Sequence, residues 1–429
     1  MANDKDFILK NPVEVGGPTN VTLGTVTSNN IDLATGNYFK DTPTGTSTYS
    51  ISNAGDVQSF QLEVTGGLEA AAETFSTTLY EGTGSNIVIN NGIDLAGDGG
   101  LVWYRRRDGA ENNSIEDTVR GLDKVIYTDS ANAQADPGAY GLQAFNSNGF
   151  TAGLNTNGGN YVSWTFKKQT KFFDIVTYTG NGTAGRTVSH NLGSVPGMII
   201  VKKTSDTDFW TVYHRGTDAT SPEDYWLALS GTGAASSAAN MWNGTAPTST
   251  EFTVSAQSNL NGNGSTYVAY IFAHDTDASS LIKCGSFTTD GNGDASVNLG
   301  FEPQWVLLKR TDGAQSWWLA DTLRGMPVGT SGTAYLNPDQ NSAEDSTYTN
   351  YINPTATGFA VDAFSGSANY LYTAIRSPFV PTLTYDPDLN WSTGTAPTSP
   401  AIGETDVITF STTDGGTSYQ AVQSIDGAK

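Results

Sequence analysis

Leu101-Val102-Trp103-Tyr104-Arg105-Arg106 reads like Met198-Ile199-Ile200-Val201-Lys202-Lys203, and both read like Trp305-Val306-Leu307-Leu308-Lys309-Arg310. The second run starts 97 residues after the first, and the third 107 after the second. Each is apolar and then basic, the pattern of a buried strand that leaves the core at its basic end.

Other anchors recur around these runs in fixed order. Ahead of each stands an aromatic with a glycine turn: Tyr80 with Gly82 and Gly84, Tyr178 with Gly180 and Gly182, Phe287 with Gly291 and Gly293. Behind each comes an Arg-Gly pair: Arg120-Gly121, Arg215-Gly216, Arg324-Gly325. Asp117-Thr118-Val119-Arg120-Gly121 and Asp321-Thr322-Leu323-Arg324-Gly325 match especially well, although Asn113-Ser114 stand where the third copy has Trp317-Trp318. A short strand signal follows at Phe150, Phe252 and Phe359. Each copy then closes on an aromatic strand that begins at Tyr161, Tyr267 or Tyr370.

A period near 100 residues is that of a whole small domain, too long for a solenoid turn or a propeller blade. The pattern predicts three copies, at 68–170, 171–278 and 279–378, with flanks at 1–67 and 379–429. Alternating strands, frequent Gly, Asn, Asp, Thr and Ser turns, and almost no helical periodicity predict an all-β chain of tandem antiparallel β-sandwich domains with small β-rich terminal flanks. One short stretch, Leu68–Glu73, reads as a linker or a single helical turn. In the C-terminal flank, Pro378, Pro381 and Pro387 read as an extended linker. Asp406–Phe410 and Ser418–Val422 read as a hairpin.

The chain has 429 residues, with 21 basic and 43 acidic, for a formal net charge of −22. Such a balance argues against a nucleic-acid or anionic-membrane partner. No apolar run is long enough for a membrane span, and no apolar core follows the first residues as in a signal peptide. The single cysteine, Cys284, allows no intrachain disulfide and reads as a small buried residue.

Candidate chemistry is sparse. Gly180-x-Gly182-x-x-Gly185 matches a dinucleotide fingerprint, but Arg186-Thr187-Val188-Ser189 after it is no helix, so a hairpin turn is expected. Asp290-Gly291-Asn292-Gly293-Asp294 opens like a calcium loop, but Phe301 stands where the bidentate Glu belongs, and a polar turn is expected. His274-Asp275-x-Asp277 offers three donors that the sister copies do not repeat. His190 and His214 are available as bases, with no nucleophile elbow to serve. The reading therefore assigns no catalytic, cofactor-binding or metal-binding residue. The tandem Trp317-Trp318 is the exception among the aromatics: neighbours on a strand face opposite sides, so one is expected to be either exposed for surface binding or covered by a neighbouring loop.

Tyr178-Thr-Gly-Asn-Gly-Thr183, Val195-Pro-Gly-Met-Ile-Ile-Val-Lys202, Tyr213-His-Arg-Gly216, Thr266–Asp275 and Gly300–Lys309 together resemble a module of virion proteins of marine tailed bacteriophages. Asp4–Lys10 and Asn30–Phe39 are similar to the starts of such fibre-like proteins. The resemblance covers nearly the whole chain and carries no catalytic residues. It implies an external virion protein, a tail fibre or spike that contacts the host surface through a glycan or protein. It also implies a homotrimer, attached to other virion proteins by the N-terminal region. A head fibre or capsid decoration without receptor role, and a polysaccharide depolymerase using a carboxylate pair, are the alternatives.

Overall fold

A computed structural model describes residues 73–275, 280–326, 333–345 and 351–378, together with 23–27, 30–34, 38–41, 50–52, 58–65, 390–391, 405–412 and 420–428. The described chain is all-β, with several antiparallel sheets pairing into sandwich-like units and one short helix, Ser258–Asn261. It divides into two compact units, Met1–Glu69 with Pro378–Lys429, and Ala70–Ser377.

In the first unit the two flanks share a sheet. Gln58–Thr65 lies antiparallel to Thr405–Thr412, with Phe60 opposite Phe410. Those two rings stack at 4.9 Å, and Phe39 meets Phe60 edge-on at 6.1 Å. Thr405–Thr412 continues into an antiparallel pair with Gln420–Ala428, the expected hairpin. The stretch 68–72 and the prolines at 381 and 387 lie outside the described residues.

In the second unit each repeat builds two sheets by one rule. In repeat one the entry strand Phe75–Glu81 pairs with the closing strand Asn160–Lys167. That strand pairs with the apolar–basic strand Gly100–Arg106, and this in turn with Ser114–Asp117. Repeat two orders Phe173–Thr179, Thr266–Ala273, Pro196–Lys203 and Thr211–His214 the same way, and repeat three orders Ile282–Thr288, Asn369–Arg376, Pro303–Arg310 and Trp318–Asp321. A small second sheet covers one face: in repeat one, Leu142–Asn146, Gly149–Ala152 and Ile87–Asn90. Strand alternation then sorts the side chains. Val102 and Tyr104 face the small sheet, whereas Leu101, Trp103, Val162, Trp164 and Phe166 face a core shared with the other repeats. In repeat three, Val306 and Leu308 face inside the sandwich, and Trp305 and Leu307 join the shared core. The central strands of the large sheets are buried on both faces, which is why they read as unbroken apolar runs.

The Gly180–Gly185 segment is a corner between sheets, not a hairpin: Phe173–Thr179 belongs to the large sheet, and Arg186–Ser189 pairs with Glu251–Val254 in the small one. A Cβ on Gly180 would lie 2.1 Å from the Gly262 carbonyl oxygen, so the close approach of these loops requires glycine.

The three repeats close on one another. Gln134 N donates to Thr204 O (3.0 Å), Ala235 N to Thr311 O (2.9 Å) and Glu344 N to Arg107 O (2.7 Å). Bonds in the opposite direction run from Asp208 N to Ala131 O (2.9 Å), Gln315 N to Thr232 O (2.8 Å) and Glu111 N to Asn341 O (3.1 Å). Equivalent residues thus join repeat one to two, two to three, and three to one. An extended row of three sandwiches, which tandem copies suggest, is replaced by a ring with internal threefold repetition. Each repeat lends an arm to its neighbour's sheet edge, and the faces left open by one sandwich are apolar enough to need covering.

The basic ends of the three diagnostic strands sit in these seams. Arg105 donates to the carbonyls of Gln340 (3.1 Å) and Ser342, Lys202 to those of Ala131 (2.9 Å) and Asp208 (2.6 Å), and Lys309 to those of Thr232 (2.9 Å) and Gln315 (2.5 Å). The expectation that the basic residue marks an exit from the core is corrected: all three are buried. Desolvation pulls Lys202 and Lys309 down to about 8 and Arg105 to about 10. An ordinary lysine stays protonated to a higher pH, so between about pH 8 and 10 the unfolded chain holds more protons than the ring. Stability is therefore expected to rise with pH across that window. The urea midpoint should increase from about pH 7.5 to 9.5, and by a smaller amount in Lys309→Met, if the folded lysines titrate early.

Candidate functional site

The residues that carry most chemistry converge on the seams, at the last position of the fourth strand of each large sheet: Asp117, His214 and Asp321. Asp321 caps the turn Thr322–Arg324, accepting from Arg324 N at 3.0 Å. Its other oxygen accepts from Arg324 Nε (2.6 Å) and, across the seam, from Trp164 Nε1 of repeat one (2.9 Å). The Arg324 guanidinium lies 5.1 Å from the Trp164 ring centre and reaches Glu344 at 3.1 Å. Glu344 in turn binds Arg107 of repeat one at 2.6 Å.

Asp117 repeats this arrangement one seam on. It accepts from Arg120 Nε (2.5 Å) and from the hydroxyl of Tyr270 in repeat two (2.8 Å). Burial and the adjacent charge hold Tyr270 well above the usual tyrosine range, so it stays a neutral donor. At the third seam the aspartate is replaced by His214, and Thr373 stands where the other repeats have Trp164 and Tyr270. His214 Nε2 lies 3.1 Å from Tyr372 O and 3.3 Å from Thr373 Oγ1. The Arg-Gly anchor is out of register in this copy: Arg215 directly follows His214, whereas Arg120 and Arg324 stand three residues past their aspartates, and Arg215 is exposed. The Asp-x-x-Arg spacing was the readable signal for the two charged latches.

The residue just before each of these strands makes a second latch. Asn113 Nδ2 donates to Gln340 O (2.7 Å), Trp210 Nε1 to Tyr127 O (2.9 Å) and Trp317 Nε1 to Ala228 O (2.8 Å), each onto the neighbouring repeat. This corrects the surface-binding expectation for Trp317 and Trp318. Trp317 is 0% and Trp318 7% exposed. The two do face opposite sides, but both sides are covered: Trp317 enters the shared core, and Trp318 stacks on Tyr335 at 4.5 Å inside the third sandwich.

The remaining candidates are placed as follows. The Asp290 carboxylate accepts from Asn292 N (2.8 Å) and Asp294 N (3.0 Å), and these bonds hold it below the usual carboxylate range. The neighbouring Asp294 raises Asp362 above the usual carboxylate range. Asp275 faces Lys171 at 3.8 Å, and Asp277 lies outside the described residues. His190 accepts from Leu192 N at 3.3 Å and is buried. Among the described residues no group of three or more His, Cys, Asp or Glu is placed to hold a metal ion, and no helix is long and apolar enough to cross a membrane.

Fold and seams together define one structural domain made of three sandwiches, latched in sequence into a ring. The chain belongs to the family described as a domain of unknown function, DUF7483, whose model matches residues 70–377, the ring and nothing beyond it. No curated protein matches the chain.

Removing the acid of a buried pair strands its arginine. Asp117→Asn and Asp321→Asn are each expected to cost about 3–5 kcal/mol in urea unfolding. Asp312→Asn, at a partly exposed pair with Arg310, should cost under about 1 kcal/mol. Trp317→Ala and Trp318→Ala should each lose about 3–5 kcal/mol in the same unfolding measurement.

Proposed function

We propose that this protein is a structural component of a tailed-phage virion, displayed on the outside of the particle, with the ring as its displayed body and the unit formed by the two flanks as its attachment. The resemblance of the repeat motifs to such proteins supports the class. The observation that carries the reading is the ring itself. One chain presents three related copies of the same loop pairs, such as those around Gly82 and Gly158, Gly180 and Gly264, and Gly291 and Gly366. Three linked weak contacts multiply by effective concentration, which suits adsorption to a repetitive host surface. The chemical groups most able to act as acids, bases or nucleophiles are spent on internal latches, which favours a structural over a catalytic role. The threefold contacts are satisfied within one chain, so the homotrimer implied by the resemblance would use surfaces other than these seams.

Immunogold labelling of purified particles with antibody to residues 70–377 is expected to mark the particle exterior, and purified full chain should compete with particles for host cells. Particles without label would overturn the reading. Label without competition would assign the chain to decoration, and release of oligosaccharide from host polysaccharide would assign it to the depolymerases.

A further inference from the structure

The three seams are chemically unequal. Two are latched by Asp–Arg pairs and one by histidine. The same seam, between repeats two and three, also gathers a second histidine and the only cysteine. His274, just past the closing strand of repeat two, accepts at Nδ1 from Cys284 N of repeat three (3.2 Å). The Cys284 thiol lies 3.5 Å from Ala273 O and 3.4 Å from Thr373 Oγ1, and the latter sits beside His214. A Cβ on Gly216 would lie 2.6 Å from Gly285 O, so the two backbones meet here with no room between them.

Both imidazoles are built into the seam in the neutral form. His214 Nδ1 accepts from Gly216 N at 3.0 Å, which leaves Nε2 as the donor to the Tyr372 carbonyl. His274 Nδ1 is likewise taken up by an N–H. A second proton on either ring would face a donor and break its bond. The charged groups around them add to this. Arg215 faces both rings, His274 faces His214, and Lys283 faces His274; only Asp275, beside His274, is of opposite sign. Tyr372 contributes a carbonyl, and burial pushes the Cys284 thiol up to about 12, so it stays neutral.

We propose that this seam is the acid-sensitive joint of the ring: lowering the pH opens it between repeats two and three while the two Asp–Arg seams stay closed. Burial holds His214 at about 3 and His274 at about 4, whereas an imidazole in water titrates near 6.5. The open state therefore binds up to two more protons below about pH 6.5, and closure is weakened as the pH falls through that range.

Cys284 is the built-in reporter. In the full chain its rate of reaction with 4,4′-dithiodipyridine is measured from about pH 7.5 to 5, divided by the rate of the urea-unfolded chain at each pH. Two protons predict a rise approaching a hundredfold per pH unit below about pH 6, about tenfold in His214→Gln or His274→Gln, and none in the double variant. A reporter placed by Thr128→Cys in a Cys284→Ser background, at the seam where Thr128 donates to Pro338 O (2.7 Å), should stay protected over the same range. A flat wild-type profile, a rise that survives in the double variant, or parallel exposure of both reporters would overturn the proposal. Should the variants not fold, histidine ¹⁵N shifts of the wild type decide it. A charged His214 with Cys284 still protected overturns the proposal, and charging that tracks exposure supports it.

Discussion

Each large sheet of the ring has to be covered on both faces. One face belongs to the small sheet of its own repeat, the other to the two neighbouring repeats. A single repeat lacks partners for Leu101, Trp103, Trp164 and Phe166, or their counterparts, and a hydrophobic face of that size is not stable in water. The shared core is therefore the condition for each repeat to fold, and the arms, buried cations and polar latches follow from it. Once three sheets turn inward, the strand ends that meet at the seams are dry, and every polar atom there needs a partner.

Much of the fold was legible. The all-β class and the presence of repeated copies follow from the apolar–basic runs and the aromatic closing strands. Geometry between copies was not. Nothing in Trp317-Trp318 distinguishes a surface platform from two buried faces, because a residue covered by its own sandwich and one covered by the next repeat have the same sequence character. The basic ends misled for a related reason. Lys202 and Lys309 look like residues leaving a core; each finds one carbonyl in its own loop, at Asp208 and Gln315, but the second comes from an arm of the preceding repeat, far away in sequence. The aspartates were easier. Asp-x-x-Arg is a local cap, so Asp117 and Asp321 could be matched in sequence, although their partners Tyr270 and Trp164 could not. The pairing of the two flanks was unreadable for the same reason, since it joins strands more than 300 residues apart.

The net charge of −22 has a clearer address in the structure. Among the described residues, the buried charged side chains comprise six basic and four acidic ones. The interior thus holds a small excess of positive charge, neutralised largely by carbonyl dipoles, and the acid excess lies outside. Local ion pairs also recur once per repeat, in Arg106–Asp108, Lys203–Asp206 and Arg310–Asp312.

Joining three copies in one polypeptide has a consequence for their divergence. In an assembly of three identical chains, any substitution at a seam is made three times at once, and a histidine for aspartate exchange would change every joint. Covalent linkage lifts that restriction. Each seam and each loop pair is free to vary alone, as His214 and Thr373 already have, and dilution cannot separate the members.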